Sequence, residues 1–417
     1  MFGSFIARLR QLSRQRRERA RRAVLDCTDA ALAAQAPPDA TRVLLLRTDS
    51  IGDYLLFRPW LRQLAAEVRG RGQRLTLLGN ALWAPLAQAW DADCFDELLA
   101  VEVGRFGRDL TYRAEVLTRV AAGGFGQVIN PLHVREPTME NFIRFLQAPR
   151  RVASQGAHQA GPWFEVLNAG YTHMLPSAPQ VQFEYVRNGE FFEYWQQLFG
   201  LATGALAAPS PAPEPSAELV VRLAAEAPLA LPAAVAAAGA AEAAIGPYVV
   251  LFPGASARQK QWPAPAFAEL ARALHQRYGA TYRLVLAGSP ADEALAQQLK
   301  QAAGPAVPFD DRTGRTDLPG LATLLAGARL VVSNDTAAAH FAVQAGTPTL
   351  VLLMGENYGK FFPYPVALLR APCRCLFPPS QEARFAAGNF SAPPQDPDIR
   401  TITVARALAG ATELLNE

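Results

Sequence analysis

Three short segments of the sequence combine residue types that can hold a phosphorylated ligand and move a proton. They are residues 47–53 (RTDSIGD), 252–263 (FPGASARQKQWP) and 332–340 (VSNDTAAAH). Each follows a short apolar run and precedes a helical pattern. Such strand-to-helix junctions place backbone N–H groups and a helix N-terminus at one edge of a parallel sheet, which is typical of anion sites. We therefore expect the three segments to converge on one site.

The first segment contains a candidate general base, Asp53. Gly52 permits a sharp turn and a close approach of the backbone to a ligand. A carboxylate at the start of the following helix can accept a proton from a hydroxyl group. The alternative is that Asp53 only caps the helix and interacts with its dipole, and position in the sequence does not separate the two.

The second segment contains a cation and a hydroxyl suited to phosphate. Ser256 can donate to a phosphate oxygen, and Lys260 adds a point charge. The chain has only three lysines, Lys260, Lys300 and Lys360, among 40 basic residues, so a lysine at this position departs from the chain's preference for arginine. The segment lacks the Gly-Lys-Ser/Thr element of a P-loop. An ordinary loop with a surface lysine is the alternative.

The third segment places Asp335, Thr336 and Ala337 at the start of a helix, where the positive end of the helix dipole favours anions. Because Asp335 carries a negative charge, we expect it to order the loop or bind a hydroxyl group rather than a diphosphate. His340 lies within the helix, where a structural role is more common than a catalytic one.

Two carboxylates follow another apolar run, between the second and third segments. Either Asp292 or Glu293 can bind the two hydroxyl groups of a ribose, as carboxylates past a strand end do in dinucleotide-binding folds. An acidic residue in the first turn of a helix is an equally good interpretation of both.

The sequence predicts neither a metal site nor a redox cofactor. Asp91 and Asp93 form a D-x-D pattern, but they are far along the chain from the phosphate-binding segments. Cys373 and Cys375 form one C-x-C pair without a second pair, which is a poor zinc signature. Neither half of the chain has a G-x-G-x-x-G after its first strand, which argues against a dinucleotide cofactor.

Short apolar runs alternate with helical patterns in two stretches of the chain, which predicts two parallel sheets covered by helices on both faces. The stretch 201–246 between them has no aromatic residue and is rich in alanine and proline. We therefore expect a connector there and a ligand cleft between two α/β domains, at the carboxyl ends of the strands. The predicted strands are 43–46, 75–78, 127–130, 248–252, 284–287, 330–333 and 349–353.

The predicted organisation has five parts: a basic arm (1–40), a first Rossmann-like domain (41–200), the connector (201–246), a second Rossmann-like domain (247–390) and a C-terminal helix (391–417) able to pack back on the first domain. The 417 residues are 50% hydrophobic, enough for two cores. No apolar run is long enough to cross a membrane and no signal peptide precedes the arm, so we expect a cytoplasmic protein.

The arm is strongly basic and amphipathic. Eight arginines and one acid fall within 8–22, and apolar residues are interleaved with them from residue 2 to residue 12. Such a helix can lie on an anionic membrane surface, or it can be a solvated helix. Nucleic acid is not expected, because nothing else in the chain supports it.

At these segments the sequence resembles the heptosyltransferase family, glycosyltransferase family 9. The resemblance covers roughly residues 41–360 and rests on 47–64, 251–274 and 331–355. It implies the two-domain GT-B fold, an ADP-heptose donor and transfer to the lipopolysaccharide core at the inner membrane. It also assigns the first domain to the acceptor and the second to the nucleotide sugar.

The resemblance implies roles for individual residues. Asp53 is similar to the family's catalytic base, Lys260 to the lysine that neutralises the donor diphosphate, and Glu293 to the ribose-binding acid. Further matches to the donor-binding positions are Ser256, Asp335, Thr336 and His340. The sequence departs from the family at Ala337, where glycine is usual, and in the segments 132–200 and 355–365.

The interpretation is an inverting, metal-independent glycosyltransferase without a cofactor, bound peripherally at most to the membrane. Two alternatives stay open. One is an enzyme of the same fold that uses another nucleotide sugar on a polysaccharide or protein. The other is a noncatalytic protein that binds nucleotide sugars or assists assembly.

Overall fold

The computed structural model describes residues 2–30, 36–199, 217–390 and 398–417. The chain divides into two compact units. The first comprises residues 1–180 and 185–215, and the second comprises residues 181–184 and 216–417.

The first unit is built on a parallel six-stranded sheet with the order β3-β2-β1-β4-β5-β6. Its strands are β1 (Asp39–Arg47), β2 (Arg74–Asn80), β3 (Glu97–Val101), β4 (Phe125–Asn130), β5 (Arg150–Ser154) and β6 (His173–Leu175). Its helices are α1 (Phe2–Ala30), α2 (Ile51–Gly70), α3 (Ala84–Trp90), α4 (Val103–Phe106), α5 (Leu110–Ala122), α6 (Pro137–Glu140), α7 (Pro162–Ala169) and α8 (Glu184–Phe199), with 3-10 turns at Ala92–Cys94 and Asn141–Phe145.

The second unit has a parallel six-stranded sheet with the order β12-β11-β10-β7-β8-β9. Its strands are β7 (Tyr248–Phe252), β8 (Arg283–Leu286), β9 (Phe309–Asp311), β10 (Leu330–Asn334), β11 (Thr349–Leu352) and β12 (Cys373–Leu376). Its helices are α9 (Ala217–Glu226), α10 (Ala233–Ala244), α11 (Ala264–Tyr278), α12 (Glu293–Ala303), α13 (Leu318–Ala326), α14 (Ala337–Ala345), α15 (Pro379–Ala386) and α16 (Val404–Asn416). Short 3-10 turns occur at Arg258–Lys260, Pro290–Asp292, Val366–Leu368 and Ile399–Thr401.

Both sheets have the same topology. When the strands of each unit are counted in chain order, each sheet has the order 3-2-1-4-5-6 of the Rossmann fold. The central strands are apolar along their length because helices cover both faces: Val43 to Leu46 in β1 are fully buried, as is most of β7. The predicted fold class, two Rossmann-like α/β domains with a helical N-terminal region, is confirmed.

The second half of α1 packs on the first unit. Leu25 is buried, and the Asp29 carboxylate receives two hydrogen bonds from Arg113 in α5, at 2.6 and 2.7 Å, with both side chains fully buried. Neither interpretation of the basic arm foresaw this docking. The apolar side chains of the arm's first turns lie outside the described side chains, so membrane binding stays a prediction.

The expected connector 201–246 is helical where the structure describes it. The helices α9 and α10 occupy much of 217–244, and α10 packs against α13 of the second unit; residues 201–216 lie outside the description. The C-terminal helix α16 belongs to the second unit, where Ala407, Ala411 and Leu414 join the core beside Trp262. Within the described ranges, no helix is both long and apolar enough to span a bilayer.

Candidate functional site

The predicted site residues lie at the carboxyl ends of parallel strands. Gly52 and Asp53 follow β1, while the other candidates follow β7, β8 and β10. In each sheet the strand order reverses between the first and fourth strands, which are β1 and β4 in one unit and β7 and β10 in the other. Ligands of open α/β sheets bind at this point because adjacent loops diverge there and leave a crevice.

The loop between β1 and α2 is held by side chains from the end of β2. Asn80 donates through Nδ2 to the carbonyl of Asp49 at 3.0 Å, and the Trp83 indole donates to the same carbonyl at 3.1 Å. These two hydrogen bonds therefore fix the backbone conformation of the loop before α2 begins at Ile51. These two residues were not among the sequence candidates. A polar side chain ending a buried apolar strand is the signal that could have identified Asn80.

Asp53 lies in the first turn of α2 and is half-buried. Its backbone carbonyl accepts a hydrogen bond from the buried Arg47 guanidinium at 3.3 Å. Arg47 also forms an ion pair with Asp49 at 2.8 Å and donates to Asn188 at 3.1 Å. The buried Arg47 guanidinium therefore stabilises the first turn of α2. This position fits both a general base and a carboxylate that interacts with the helix dipole.

In the second unit, the structure brings two of the predicted segments together. Lys260 Nζ lies 3.1 Å from Asp335 Oδ2, and the two side chains are only 19% and 15% exposed. The contact follows from topology, since β7 and β10 are neighbouring strands. The lysine is therefore fixed beside the N-terminus of α14 rather than extended into solvent.

Asn334 joins the same two loops and was missed by the sequence analysis. It is fully buried, donates through Nδ2 to the Pro253 carbonyl at 2.7 Å and accepts at Oδ1 from the Trp262 backbone N–H at 3.1 Å. Both ends of the loop that carries Ser256 and Lys260 are therefore hydrogen-bonded to Asn334 at the end of β10. A buried asparagine at the end of an apolar strand rarely lacks such partners, which was the available signal.

The start of α14 is capped by its own sequence. Thr336 is the N-cap, and its hydroxyl accepts from the Ala338 N–H at 3.2 Å while lying 3.1 Å from Ser333 Oγ. Ala337 is the first helical residue. Thr336 therefore orders the helix terminus, and a phosphate oxygen would have to share or replace this capping hydrogen bond to reach its hydroxyl group.

The structure distinguishes the two acidic candidates after β8. Asp292 closes a capping box with Ser289, accepting from its backbone N–H at 2.8 Å and its hydroxyl at 2.7 Å. Glu293 is exposed and lines a pocket of about 420 Å³ with Asp311 and Arg315. Of the two carboxylates, Glu293 is therefore the better placed to bind ribose hydroxyl groups.

Ser256 and His340 differ sharply in exposure. Ser256 is exposed in the loop after β7, where its hydroxyl can meet a ligand. His340 is 4% exposed, and its Nδ1 lies 2.7 Å from the hydroxyl of Tyr364, with the Phe362 ring 4.7 Å away. This arrangement favours the structural interpretation of His340, which anchors the aromatic segment after β11 to α14.

The D-x-D pattern has a structural role in the first unit. Asp91 is fully buried and accepts hydrogen bonds from Tyr54 at 2.7 Å, from Arg58 at 2.7 and 3.0 Å and from Arg62 at 2.8 Å. Burial, reinforced by the Asp91 charge, raises the pKa of Tyr54 well above its ordinary value. The Asp91 oxygens are therefore occupied by protein donors.

The cysteine pair lies on β12, and both residues are half-buried. A hydrogen bond with Cys373, together with burial, raises the pKa of Cys375 well above its ordinary value. Across the part of the chain that the structure describes, no group of three or more histidine, cysteine, aspartate or glutamate residues is placed to hold a metal ion.

Comparison with known proteins covers the chain unevenly. Residues 197–368 match the model of glycosyltransferase family 9 (heptosyltransferase). Lipopolysaccharide heptosyltransferase 1 from Pseudomonas aeruginosa is 32% identical over 148 residues, which make up 33% of this chain and 40% of that protein. The aligned part therefore spans less than half the length of this curated relative.

Solved structures resemble the chain over most of its length. The glycosyl transferase family 9 protein from Veillonella parvula matches with a TM-score of 0.62 at 18% identity, covering 92% of this chain and 99% of the other. The E. coli heptosyltransferase WaaC with ADP matches with a TM-score of 0.56 at 18% identity, covering 89% and 99%. At this identity the likeness shows the fold alone. The sequence matches confirm the predicted resemblance: residues 197–368 are similar to glycosyltransferase family 9 (heptosyltransferase).

Proposed function

We propose that the protein is an inverting, metal-independent glycosyltransferase that transfers heptose from ADP-heptose to a lipopolysaccharide-type acceptor. The observation that carries the proposal is the Lys260–Asp335 pair at the N-terminus of α14, within the segment that matches family 9. Fixed positive charge and a helix N-terminus together suit the diphosphate of a nucleotide sugar. The curated relative is named for heptosyl transfer to lipopolysaccharide, which favours heptose as the sugar and a lipopolysaccharide-type acceptor.

In the proposed reaction, Asp53 takes the proton of an acceptor hydroxyl group as its oxygen attacks the anomeric carbon. The new carbon–oxygen bond forms as the bond to the diphosphate breaks on the opposite face, so the configuration inverts. The nucleoside diphosphate leaves with the electron pair. Asp53 thus acts as general base from the first turn of α2, directly after the loop that Asn80 and Trp83 hold.

The second unit would bind the donor. Lys260, Ser256 and the N–H groups at the start of α14 would stabilise the charge that develops on the leaving phosphate. Preorganised donors of this kind each contribute roughly 2.7–4 kcal/mol to transition-state stabilisation. The pocket beside Glu293 has room for a ribose, and Gly314, which has a positive φ of 69°, lies in its lining.

Thermal stabilisation tests the donor. The protein is heated with ADP, GDP, UDP, CMP or ADP-heptose, and binding to the native state raises the melting temperature. A shift confined to the two ADP compounds supports the proposal. A shift with UDP or GDP would replace the donor and favour transfer of another sugar, and no shift with any of them would contradict nucleotide-sugar binding.

Substitutions separate the base from the donor site. Asp53→Asn and Asp53→Ala should abolish transfer and leave ADP binding unchanged, whereas Lys260→Ala should weaken both. Asp109→Ala is the control for Asp53, because Asp109 caps α5 of the same unit. Near-normal turnover of Asp53→Asn would refute the base assignment.

Two further measurements test the class of reaction. Activity should persist in EDTA, and loss of turnover that magnesium or manganese restores would contradict metal independence. A noncatalytic binding protein would bind ADP-heptose without transfer or hydrolysis, and without any response to the Asp53 substitutions.

A further inference from the structure

The second half of the helix α1 has one face that packs on the first unit. Leu25 and Asp29 on this face are buried. The Asn141 side chain donates to Asp26 at 3.0 Å and to Asp29 at 2.8 Å. Together with the Asp29–Arg113 ion pair, these contacts fix which face of the helix lies against the protein.

The opposite face of this second half is open to solvent. Ala20, Ala23, Val24 and Cys27 are exposed, Val24 to 49%. Because an α-helix turns by about 100° per residue, the other three lie within about 60° of Cys27 around the helix axis. By the same geometry, the buried Leu25 is about 160° from Cys27. The helix therefore has a docked face and a solvent face.

The apolar positions in the first turns of α1 are in register with the solvent face. The helix is continuous from Phe2 to Ala30, so one helical turn applies along its length. All five positions lie within about 60° of the direction of Cys27, and Leu9 coincides with it. We call these positions the apolar stripe; they are Phe2, Phe5, Ile6, Leu9 and Leu12. The stripe continues the solvent face rather than the docked face.

The acidic residues of α1 lie away from the apolar stripe. Asp29 forms its ion pair with Arg113, and Asp26 forms one with Arg144 of the first unit. Glu18, the third acid of this helix, lies about 180° around the axis from the middle of the stripe. The acids of α1 therefore leave the charge of the solvent face to its arginines.

Arginines flank the apolar stripe on both sides. Four of them lie about 80–100° from Leu9 around the axis; they are Arg8, Arg10, Arg17 and Arg19. Arg16 follows the stripe along the solvent face, and it is exposed, as are Arg17 and Arg19. An apolar stripe between rows of arginine is typical of helices that lie in a membrane interface, where the guanidinium groups reach lipid phosphates.

We propose that the solvent face of α1 binds a bilayer that contains anionic phospholipids, with the apolar stripe inserted in the interface and the arginines on the phosphates. A nucleic acid would match the arginines but would leave the stripe in water, so the lipid surface is the better partner. Because the second half of α1 is docked, the bilayer would hold the first unit by a defined side. This binding is independent of the proposed transfer reaction.

Vesicle flotation with the full chain tests this binding. The protein should float with vesicles of phosphatidylcholine mixed with phosphatidylglycerol and stay in solution with vesicles of phosphatidylcholine alone. Binding should weaken as salt rises, because part of the attraction is between exposed charges. Equal partition onto both kinds of vesicle, or binding to neither, would overturn the proposal.

Two variants of α1 test which face binds. Leu9→Gln should weaken binding by roughly tenfold, the lower part of the range for burial of a leucine. Leu9→Gln combined with Gln11→Leu restores the composition and net charge of the chain but places the leucine about 160° from the middle of the stripe. It should bind as weakly as Leu9→Gln. Recovery of the original affinity in the double variant would refute the assignment of the face.

Arg16→Gln and Arg19→Gln test the contribution of charge. Each should weaken binding to the anionic vesicles by about fivefold, the contribution of one basic residue near an anionic surface. Arg277→Gln is the matched control, because Arg277 is exposed on α11 of the second unit, and it should leave binding unchanged. Weaker binding of the arginine variants with unchanged binding of Leu9→Gln would indicate adsorption to any polyanion and would contradict the proposal.

These substitutions keep Leu25 and Asp29, so the docked half of α1 is preserved. Deletion of the arm is a poorer test, since it would leave the buried Arg113 without its counter-charge. The melting temperature and the stabilisation by ADP should be unchanged in every variant, which separates a failure of membrane binding from a failure of the proposed donor site. A lower melting temperature of Leu9→Gln would show that Leu9 packs on the protein and would overturn the proposal.

Discussion

The Lys260–Asp335 pair leads to an unusual order of affinities for ADP. Lys260→Ala removes the cation and also leaves the Asp335 carboxylate uncompensated beside the diphosphate. Lys260→Ala combined with Asp335→Ala removes both charges. We therefore expect the single lysine variant to bind ADP most weakly, the double variant to be intermediate and the unmodified protein to bind more tightly than either.

The size of the effect follows from the geometry. Charges about 4 Å apart at an effective dielectric constant of about 20 interact by about 4 kcal/mol. The side chains are 19% and 15% exposed, so solvent screening reduces this value. Hydrogen bonds to charged groups contribute about 1.5–3 kcal/mol, which corresponds to a loss of roughly 10- to 150-fold in ADP affinity for Lys260→Ala. The double variant should recover part of this loss.

Titration calorimetry with ADP at low and moderate salt measures these affinities. The differences should shrink as salt rises, because screening weakens the interaction of partly exposed charges. Arg374→Ala is a matched control, since Arg374 forms an ion pair with Glu413 elsewhere in the second unit. The reasoning is refuted if Lys260→Ala binds ADP as the unmodified protein does, or if the double variant binds more weakly than the single one.

Three further predictions concern stability and reactivity. Asp29→Asn should destabilise the protein by about 3–5 kcal/mol in urea unfolding, because it leaves the buried Arg113 without its counter-charge; an unchanged midpoint would contradict the docking of α1. Burial raises the pKa of Cys94 to about 12, so iodoacetamide at pH 8 should label the exposed Cys27 in the native state and Cys94 only after unfolding. Thr336→Val should cost about 0.5–2 kcal/mol through loss of the α14 cap, and a smaller change would show that Ser333 or solvent replaces the cap.

The central strands of both sheets were predictable because their apolar runs are long and bounded by turns. The edge strands were not. β9 is only Phe309–Asp311, with two acidic residues in three, and its extended conformation depends on pairing with β8. β12, Cys373–Leu376, likewise pairs with β11 and lacks a distinctive pattern of its own. Strands this short are specified by their neighbours more than by local sequence.

The contact between the segments that carry Lys260 and Asp335 was predictable from the order of the strands in the second sheet. Lys260 and Asp335 are 75 residues apart, but each follows one of two strands that pair in the sheet. Docking of the arm had no such basis, because the Asp29–Arg113 contact joins a helix outside the α/β alternation to the first turn of α5. Charge composition indicated a basic arm, but buried contacts such as Asp29–Arg113 and Leu25 hold the second half of that arm on the first unit.

The charges around the proposed diphosphate site bear on how catalysis would work. Asp335 balances Lys260 before any ligand binds, so the pair has no net charge with which to hold a nucleotide tightly in the ground state. Stabilisation must then increase as the leaving phosphate gains charge, when Lys260 can shift its hydrogen bond from Asp335 to the phosphate. Interactions that strengthen only in the transition state raise turnover rather than affinity. For the proposed transferase, ADP keeps the charge that the leaving phosphate gains, so this arrangement favours tighter binding of ADP than of the intact nucleotide sugar.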